Sequence, residues 1–205
     1  MTAGLSALRV GARRILDRSL TATEVAKFHK YWNILIKWHR IHRLLGSTEP
    51  GWIVDRIFLD SLLFLRVLPP DAKEILDVGS GAGIPGIPLK IVVPDLRLTM
   101  IESKQRRASF LSTAARELSL RDVRVISARL ESIVCEAADQ FDAVVARCAG
   151  DVGFLFGLGA RLIRPGGVVI ASGPPEEHPL TVGEWMTTPG VRPGEVRRFA
   201  VYRRE

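Results

Sequence analysis

The residues with the clearest chemistry form one short run, Asp77-Val78-Gly79-Ser80-Gly81-Ala82-Gly83, between a β-prone stretch and a helical one. Alternate glycines let backbone approach a ligand with no side chain in the way. Shifted by two, Gly81-Ala82-Gly83-Ile84-Pro85-Gly86 matches G-x-G-x-x-G, the pattern of a dinucleotide turn. A dinucleotide sets its pyrophosphate on the following helix N-terminus, where free amides and the dipole favour an anion. S-adenosylmethionine has no phosphate and carries a cationic sulfonium, an ammonium and a carboxylate. Asp77, closing the strand, repels a pyrophosphate and suits a cationic ligand. No second domain follows to hold a hydride donor's substrate. The methyl donor is therefore the favoured ligand.

Three further places bear on that ligand. Glu102 ends the next strand, roughly 20 residues past the loop, where an acid accepts hydrogen bonds from a ribose; the alternative is a surface carboxylate capping the helix that starts near Lys104. Ala128-Arg129-Leu130-Glu131 follows the third strand, either at the adenine edge or as a solvated loop. Arg147 follows the apolar strand Ala143-Val144-Val145-Ala146, at the edge where ligands of parallel sheets bind. Its guanidinium is read as a site residue holding a carboxylate or a phosphate, with a structural pairing to an acid such as Asp142 as the alternative.

The elements that must carry these residues change character near Leu68-Pro69-Pro70-Asp71. Before it, Thr21-Ala22-Thr23-Glu24 reads as a capping box opening a helix with Val25, Phe28, Trp32, Leu35 and Ile36 on its core face. Lys27, Lys30, Lys37, Arg40 and Arg43 lie mostly on the other side. Gly46 and Pro50 end that helix, and a second apolar helix runs from about Ile53 to Val67. After Pro70, strands at 74–78, 96–101, 123–126, 141–146 and 168–171 alternate with helices following the loop, at 105–118 and at 152–163. Arg164-Pro165-Gly166-Gly167 reads as a turn, and Val196 to Arg203 as an edge strand. This predicts a doubly wound, Rossmann-like α/β sheet. Residues 1–70 are read as an N-terminal helical extension and 71–205 as the donor-binding domain.

Composition narrows the setting. The chain has 205 residues, 47% hydrophobic, with a net charge of +7. That size buries a full core without staples. The charge suits a polyanion, whose counterions are released on binding. Cys135 and Cys148 sit in apolar contexts that predict buried, reduced thiols and a cytoplasmic protein. Arg9, Arg13, Arg14 and Arg18 faintly suggest a transit peptide, but an amphipathic basic helix of the mature protein is the favoured reading. No apolar run is long enough for a membrane span. No metal cluster is apparent. His29, His39 and His42 fall in the basic helix as surface or packing residues, and no catalytic residue is assigned.

With these residues placed, the chain resembles the small-subunit (16S) ribosomal RNA guanine-N7 methyltransferases, the glucose-inhibited division protein B family. The likeness runs from about Ala22 to Gly173. It is carried by Tyr31-Trp32-Asn33-Ile34-Leu35-Ile36-Lys37-Trp38, by Asp60-Ser61-Leu62, and by Ile75 through Leu89 with its Gly-Ile-Pro-Gly-Ile-Pro stretch. Ile101-Glu102-Ser103-Lys104, Phe110-Leu111 and Phe141-Asp142 leading to Arg147 complete it. The resemblance implies donor contacts from Gly79, Ile84, the Leu130-Glu131 pair and Arg147, beside loop residues Gly81 and Gly83 and the acid Glu102. It implies ribosomal RNA or the small ribosomal subunit as partner; the oligomeric state is left open, with a monomer favoured. The family usually has Asn-Leu-Thr where this chain has Arg43-Leu44-Leu45, a histidine at Ile57, and Lys-Gly at Ser172-Gly173. These departures fall on substrate-facing positions. They keep two alternatives open: a donor-binding ribosome-assembly or RNA-binding factor with weak or lost turnover, and a methyltransferase with another acceptor. Guanine N7 carries no proton, so its methylation requires positioning rather than a general base. Asp60 is the candidate to stabilise the positive purine, against a buried, satisfied helix aspartate.

Overall fold

A computed structural model describes residues 2–147, 151–172 and 179–205. Helix α1 (Thr2–Leu16) and helix α2 (Ala22–His42) open the chain. The capping box forms as read: Glu24 N–H donates to Thr21 Oγ1 at 3.2 Å, and Thr21 N–H to Glu24 Oε2 at 2.7 Å. Arg18 clamps the same glutamate at 2.7 Å. Gly4 and Gly11 on α1 lie against Trp32 and Leu59, so close that a Cβ at either would stand within 3 Å of those side chains. Leu8, Ala12 and Ile15 of α1 enter the main core.

Helix α2 stops earlier than Gly46. Arg43 takes the left-handed conformation (φ 47°) and its N–H returns to His39 O at 2.9 Å, while His39 Nδ1 accepts the Leu45 amide at 3.0 Å. A side chain thus satisfies a backbone donor that a longer helix would have used. The next helical run, α3 (residues 50–66), starts at Pro50, earlier than Ile53. It winds as a π-helix over Ile53–Leu59, an α turn over Asp60–Leu62 and a 3₁₀ turn over Leu63–Arg66. Ser61 Oγ donates to Ile57 O at 2.6 Å, just beyond the wide turn. Phe58 of α3 meets Phe28, Tyr31 and Trp32 of α2 at ring distances of 5.1, 5.7 and 6.0 Å.

The remainder is the expected α/β sheet, in the order β3-β2-β1-β4-β5-β7-β6. Strands β1 (Glu74–Val78), β2 (Arg97–Ile101), β3 (Val123–Ile126), β4 (Phe141–Arg147) and β5 (Ile163–Ser172) run parallel. β6 (Glu184–Pro189) and β7 (Val196–Arg203) add an antiparallel hairpin. Helices α4 (Gly86–Val92), α5 (Gln105–Glu117), α6 (Leu130–Ile133) and α7 (Val152–Leu162) connect the parallel strands. Two readings are corrected. β7 is an inner strand, with β6 at the edge; β6 lacked an alternating apolar pattern to announce it. The 164–167 segment belongs to β5, because Gly166 N–H and Gly167 O bond to Arg204 at 2.8 and 3.0 Å and take up its backbone groups.

Alternation along the strands splits the core. Ile75, Leu98, Met100, Val145 and Ile170 face the N-terminal helices, α4 and α5, in a single cluster reaching from Leu8 to Val201. Leu76, Val144, Val169 and Ala200 face α7. No helix among the described residues is long and apolar enough to cross a membrane. Among the same residues, no group of three His, Cys, Asp or Glu could hold a metal. Cys135 is exposed, contrary to the buried thiol expected, because it follows the short α6 at the surface; Cys148, Gly173 and His178 lie outside the described residues.

Candidate donor and acceptor cleft

The glycine loop leaves β1 where β1 lies between β2 and β4, the point at which strand order reverses and open α/β sheets bind ligands. Gly79, Gly81 and Gly83 all have positive φ, at 66°, 54° and 83°. An L side chain adopts that region at a cost of roughly 1–2 kcal/mol, which glycine avoids. Their surroundings differ. A Cβ on Gly79 would meet nothing within 4 Å, whereas on Gly83 it would lie 2.4 Å from Ile87 and 3.1 Å from the Tyr31 hydroxyl. Gly79 therefore offers open backbone to a ligand, and Gly83 allows tight packing beneath.

Two neighbouring clefts share Gly79. The first, about 270 Å³, is lined by Gly79, Ser80, Gly81, Ala82, Ile84, Arg107 and Arg147 on one side and by Leu44, Leu45, Gly46, Trp52 and Ile57 on the other. The second, about 190 Å³, runs from Gly79 past Ile101 and Ser103 to Ala128, Arg129, Leu130 and Glu131. Together they bring six of the anticipated donor residues to one surface: Gly79, Gly81, Ile84, Leu130, Glu131 and Arg147. Gly83 and Glu102 line neither cleft.

Both acids near the loop turn inward. Glu102 is buried; its Oε2 accepts the Gly81 amide at 3.1 Å and its Oε1 the Lys104 amide at 2.8 Å, with Arg107 at 3.9 Å. It ties the loop to the start of α5, the capping role weighed against ribose binding. Asp77 is fully buried and accepts the Gly86 amide at 3.0 Å instead of facing the cleft. Burial pushes its carboxyl up to about 7; the Gly86 amide and Ser80 oppose that rise and the nearby Glu102 adds to it. A Cβ on Gly86 would come within 2.7 Å of that carboxylate.

Arg147 pairs with Asp60, 3.5 Å away, and not with Asp142. Asp142 instead accepts the Lys73 and Glu74 amides, each at 2.8 Å, and meets Arg164 at 3.1 Å. Asp60 is the buried, satisfied aspartate of the alternative reading, held also by Arg197 at 2.9 Å. The unusual positions gather here as well. Leu45 and Ile57 line the cleft, and Ser172 is the register partner of Arg147. Arg43 is exposed at the end of α2.

Sequence reasoning gave no site role to Tyr31, Trp52 or Arg107. The Tyr31 hydroxyl donates to Ala82 O, pinning the loop to α2; burial holds that phenol well above its usual range, Asp77 adds to the rise and Arg147 opposes it. A tyrosine in a helix's apolar stripe needs a buried acceptor, a signal the sequence does carry. Trp52 comes from a distant segment and offered none, and Arg197, which with Arg198 reads in sequence as a basic pair suited to RNA, is drawn to Asp60 instead.

A seven-stranded sheet with an antiparallel final hairpin and a glycine loop at its switch point is a Rossmann-like α/β fold. Solved structures agree on that fold. The O-methyltransferase TomG from Streptomyces achromogenes, determined in complex with SAM, matches with a TM-score of 0.55 at 20% identity over 83% of this chain and 87% of that one. A putative methyltransferase, yhhF from Escherichia coli, matches at 0.51 and 18% identity over 69% and 82%. The GidB family model, described as rRNA small subunit methyltransferase G, matches residues 24–175. Proteins called ribosomal RNA small subunit methyltransferase G are similar along much of the chain. That of Mycoplasma capricolum is 36% identical over 70% of this chain, and that of Syntrophus aciditrophicus is 34% identical over 90%. The chain spans 62% of the first relative's length and 79% of the second's. This chain belongs to the GidB family.

Proposed function

We propose that the paired clefts hold S-adenosylmethionine and that the protein methylates guanine N7 in the RNA of the small ribosomal subunit. The observation that carries the donor assignment is Gly79: open backbone at φ 66°, shared by both clefts. In this reading Leu130 and Glu131 border the adenine, and Gly79, Gly81 and Ile84 border the sulfur. Arg147 meets the donor carboxylate. Glu102 acts on the ribose through the lone pairs its two amide bonds leave over, and Gly83 acts by shaping the turn. When bound, S-adenosylmethionine supplies an electrophilic methyl group. The chain's own task is then to orient the acceptor and exclude water, since N7 has no proton to remove.

RNA as partner is supported by where the cations lie. Lys30, Lys37, Arg40 and Arg43 are exposed along and just beyond α2, beside the cleft wall that Leu44 begins, and among the described residues they form no ion pairs. The Arg203 and Arg204 pair, by contrast, is drawn to Glu184 and Asp139. A cytoplasmic location accords with that substrate. We also propose residues 1–70 as the helical extension and 71–205 as the donor-binding part.

The test is incubation of labelled donor with small subunits and with naked rRNA, followed by nucleoside analysis. 7-Methylguanosine is expected, and a different methylated nucleoside would overturn the target. The apolar Leu45 and Ile57 favour a second reading, a donor-binding assembly factor without turnover. Donor binding by calorimetry with no methylated product on either RNA would select it.

A further inference from the structure

Asp60 stands where three distant parts of the chain converge. Its backbone N–H closes the π turn of α3 onto Asp55 O, and its side chain is buried. Arg197 of β7 grips it from the side, Nε to Oδ1 at 2.9 Å and Nη2 to Oδ2 at 3.3 Å. Arg147, at the end of β4, reaches Oδ2 through Nη2 at 3.5 Å. Arg197 is steadied in turn by Phe199, its guanidinium lying 5.6 Å from the ring centre. Arg147 lines the first cleft, but Asp60 and Arg197 do not; they line a separate hollow with Asp55, Arg56 and Arg192. Arg197 also falls outside the residues that match the family model.

The arrangement is asymmetric. Arg197 holds the carboxylate through a 2.9 Å ion-pair contact at Nε and one hydrogen bond from Nη2, and Arg147 meets the same carboxylate at a longer 3.5 Å. A guanidinium is planar with its five donors in a fixed fork, so a contact to a fixed carboxylate sets the direction of the whole group. π turns widen a helix locally and recur at functional sites; here the widened segment ends on the residue that meets both arginines. We propose that Asp60, locked by Arg197, is a positioning residue that aims Arg147 at the carboxylate of the methyl donor. The C-terminal hairpin thereby sets donor affinity at a cleft it does not line. This rests on the reading of Arg147 as a donor contact.

The test compares two ligands by calorimetry: S-adenosylmethionine, and 5′-methylthioadenosine, which lacks the carboxylate and the ammonium. In Asp60→Asn and in Arg197→Gln, S-adenosylmethionine is expected to bind about tenfold more weakly, about 1.4 kcal/mol, with 5′-methylthioadenosine unchanged. Arg197→Lys, which keeps the charge without the fork, should lose less. If Arg147→Gln weakens only S-adenosylmethionine while Asp60→Asn and Arg197→Gln change neither ligand, the positioning role is overturned and the Arg147 reading stands. If Arg147→Gln leaves the difference between the two ligands intact, the Arg147 reading fails and the proposal with it. Equal weakening of both ligands in Asp60→Asn and Arg197→Gln marks a merely structural aspartate and also overturns the proposal.

Discussion

The two walls of the first cleft are built in opposite ways. Apart from Arg107 and Arg147, the loop wall comes from one continuous segment, 79–84, fastened by the Ser80 hydroxyl to the Asp77 carbonyl and by the Gly86 and Gly81 amides to the carboxylates of Asp77 and Glu102. The facing wall is assembled from the turn after α2 and two turns of α3, with Leu44, Leu45, Trp52 and Ile57 as its side chains. The first wall is open backbone and the second apolar side chain. The loop wall is built from family motifs, and the helical wall carries two of this chain's departures from them.

The largest effect is expected on the loop wall. Gly79→Asp should reduce donor affinity by at least about 100-fold, about 2.7 kcal/mol, because a side chain and a negative charge enter the space shared by both clefts. Isothermal calorimetry measures it, and unchanged binding would remove the loop from the donor site. On the facing wall, Trp52→Ala should raise KM for RNA by about tenfold and leave donor affinity within about twofold, if the indole carries base stacking worth about 1–3 kcal/mol. An equal loss in both quantities would mean that the walls do not divide the two ligands.

Tyr31→Phe probes the tie between the walls. Losing the hydroxyl's bond to Ala82 O should cost about 1 kcal/mol of stability, read by urea unfolding, with a few-fold loss of donor affinity. A loss of stability with intact affinity would make Tyr31 a packing residue only. The smallest effect is a pH slope. Asp77 has its carboxyl raised to about 7 by burial, against 3.8 unperturbed. The folded state therefore holds a proton that the unfolded state releases. Its contribution to stability is complete below the unperturbed value and is lost as pH rises through 7. Melting temperatures from pH 5 to 8 should fall more steeply for the native chain than for Asp77→Asn; parallel curves would assign the slope elsewhere.

Much of the loop wall was legible because its signals are local. Five parallel strands, the capping box at Thr21 and Glu24 and the glycine positions all follow from neighbours a few residues apart. The inward turn of Asp77 and Glu102 was not legible. A strand-end acid looks the same in sequence whether it faces a ligand or receives amides from the adjoining turn. Here Gly86 and Gly81 supply those amides. Strand β6 escaped notice because an edge strand needs no buried alternation.

By itself the sequence determined the α/β sheet and the glycine loop, since periodicity and glycine placement depend on short-range geometry. The tertiary structure alone decided that Leu45, Trp52 and Ile57 face the loop and that Tyr31 fastens it. It also brought Asp60 between Arg147 and Arg197. These contacts join residues dozens of positions apart, brought together by burial of the α1–α3 helices against the sheet, and no local pattern encodes which side chains then meet.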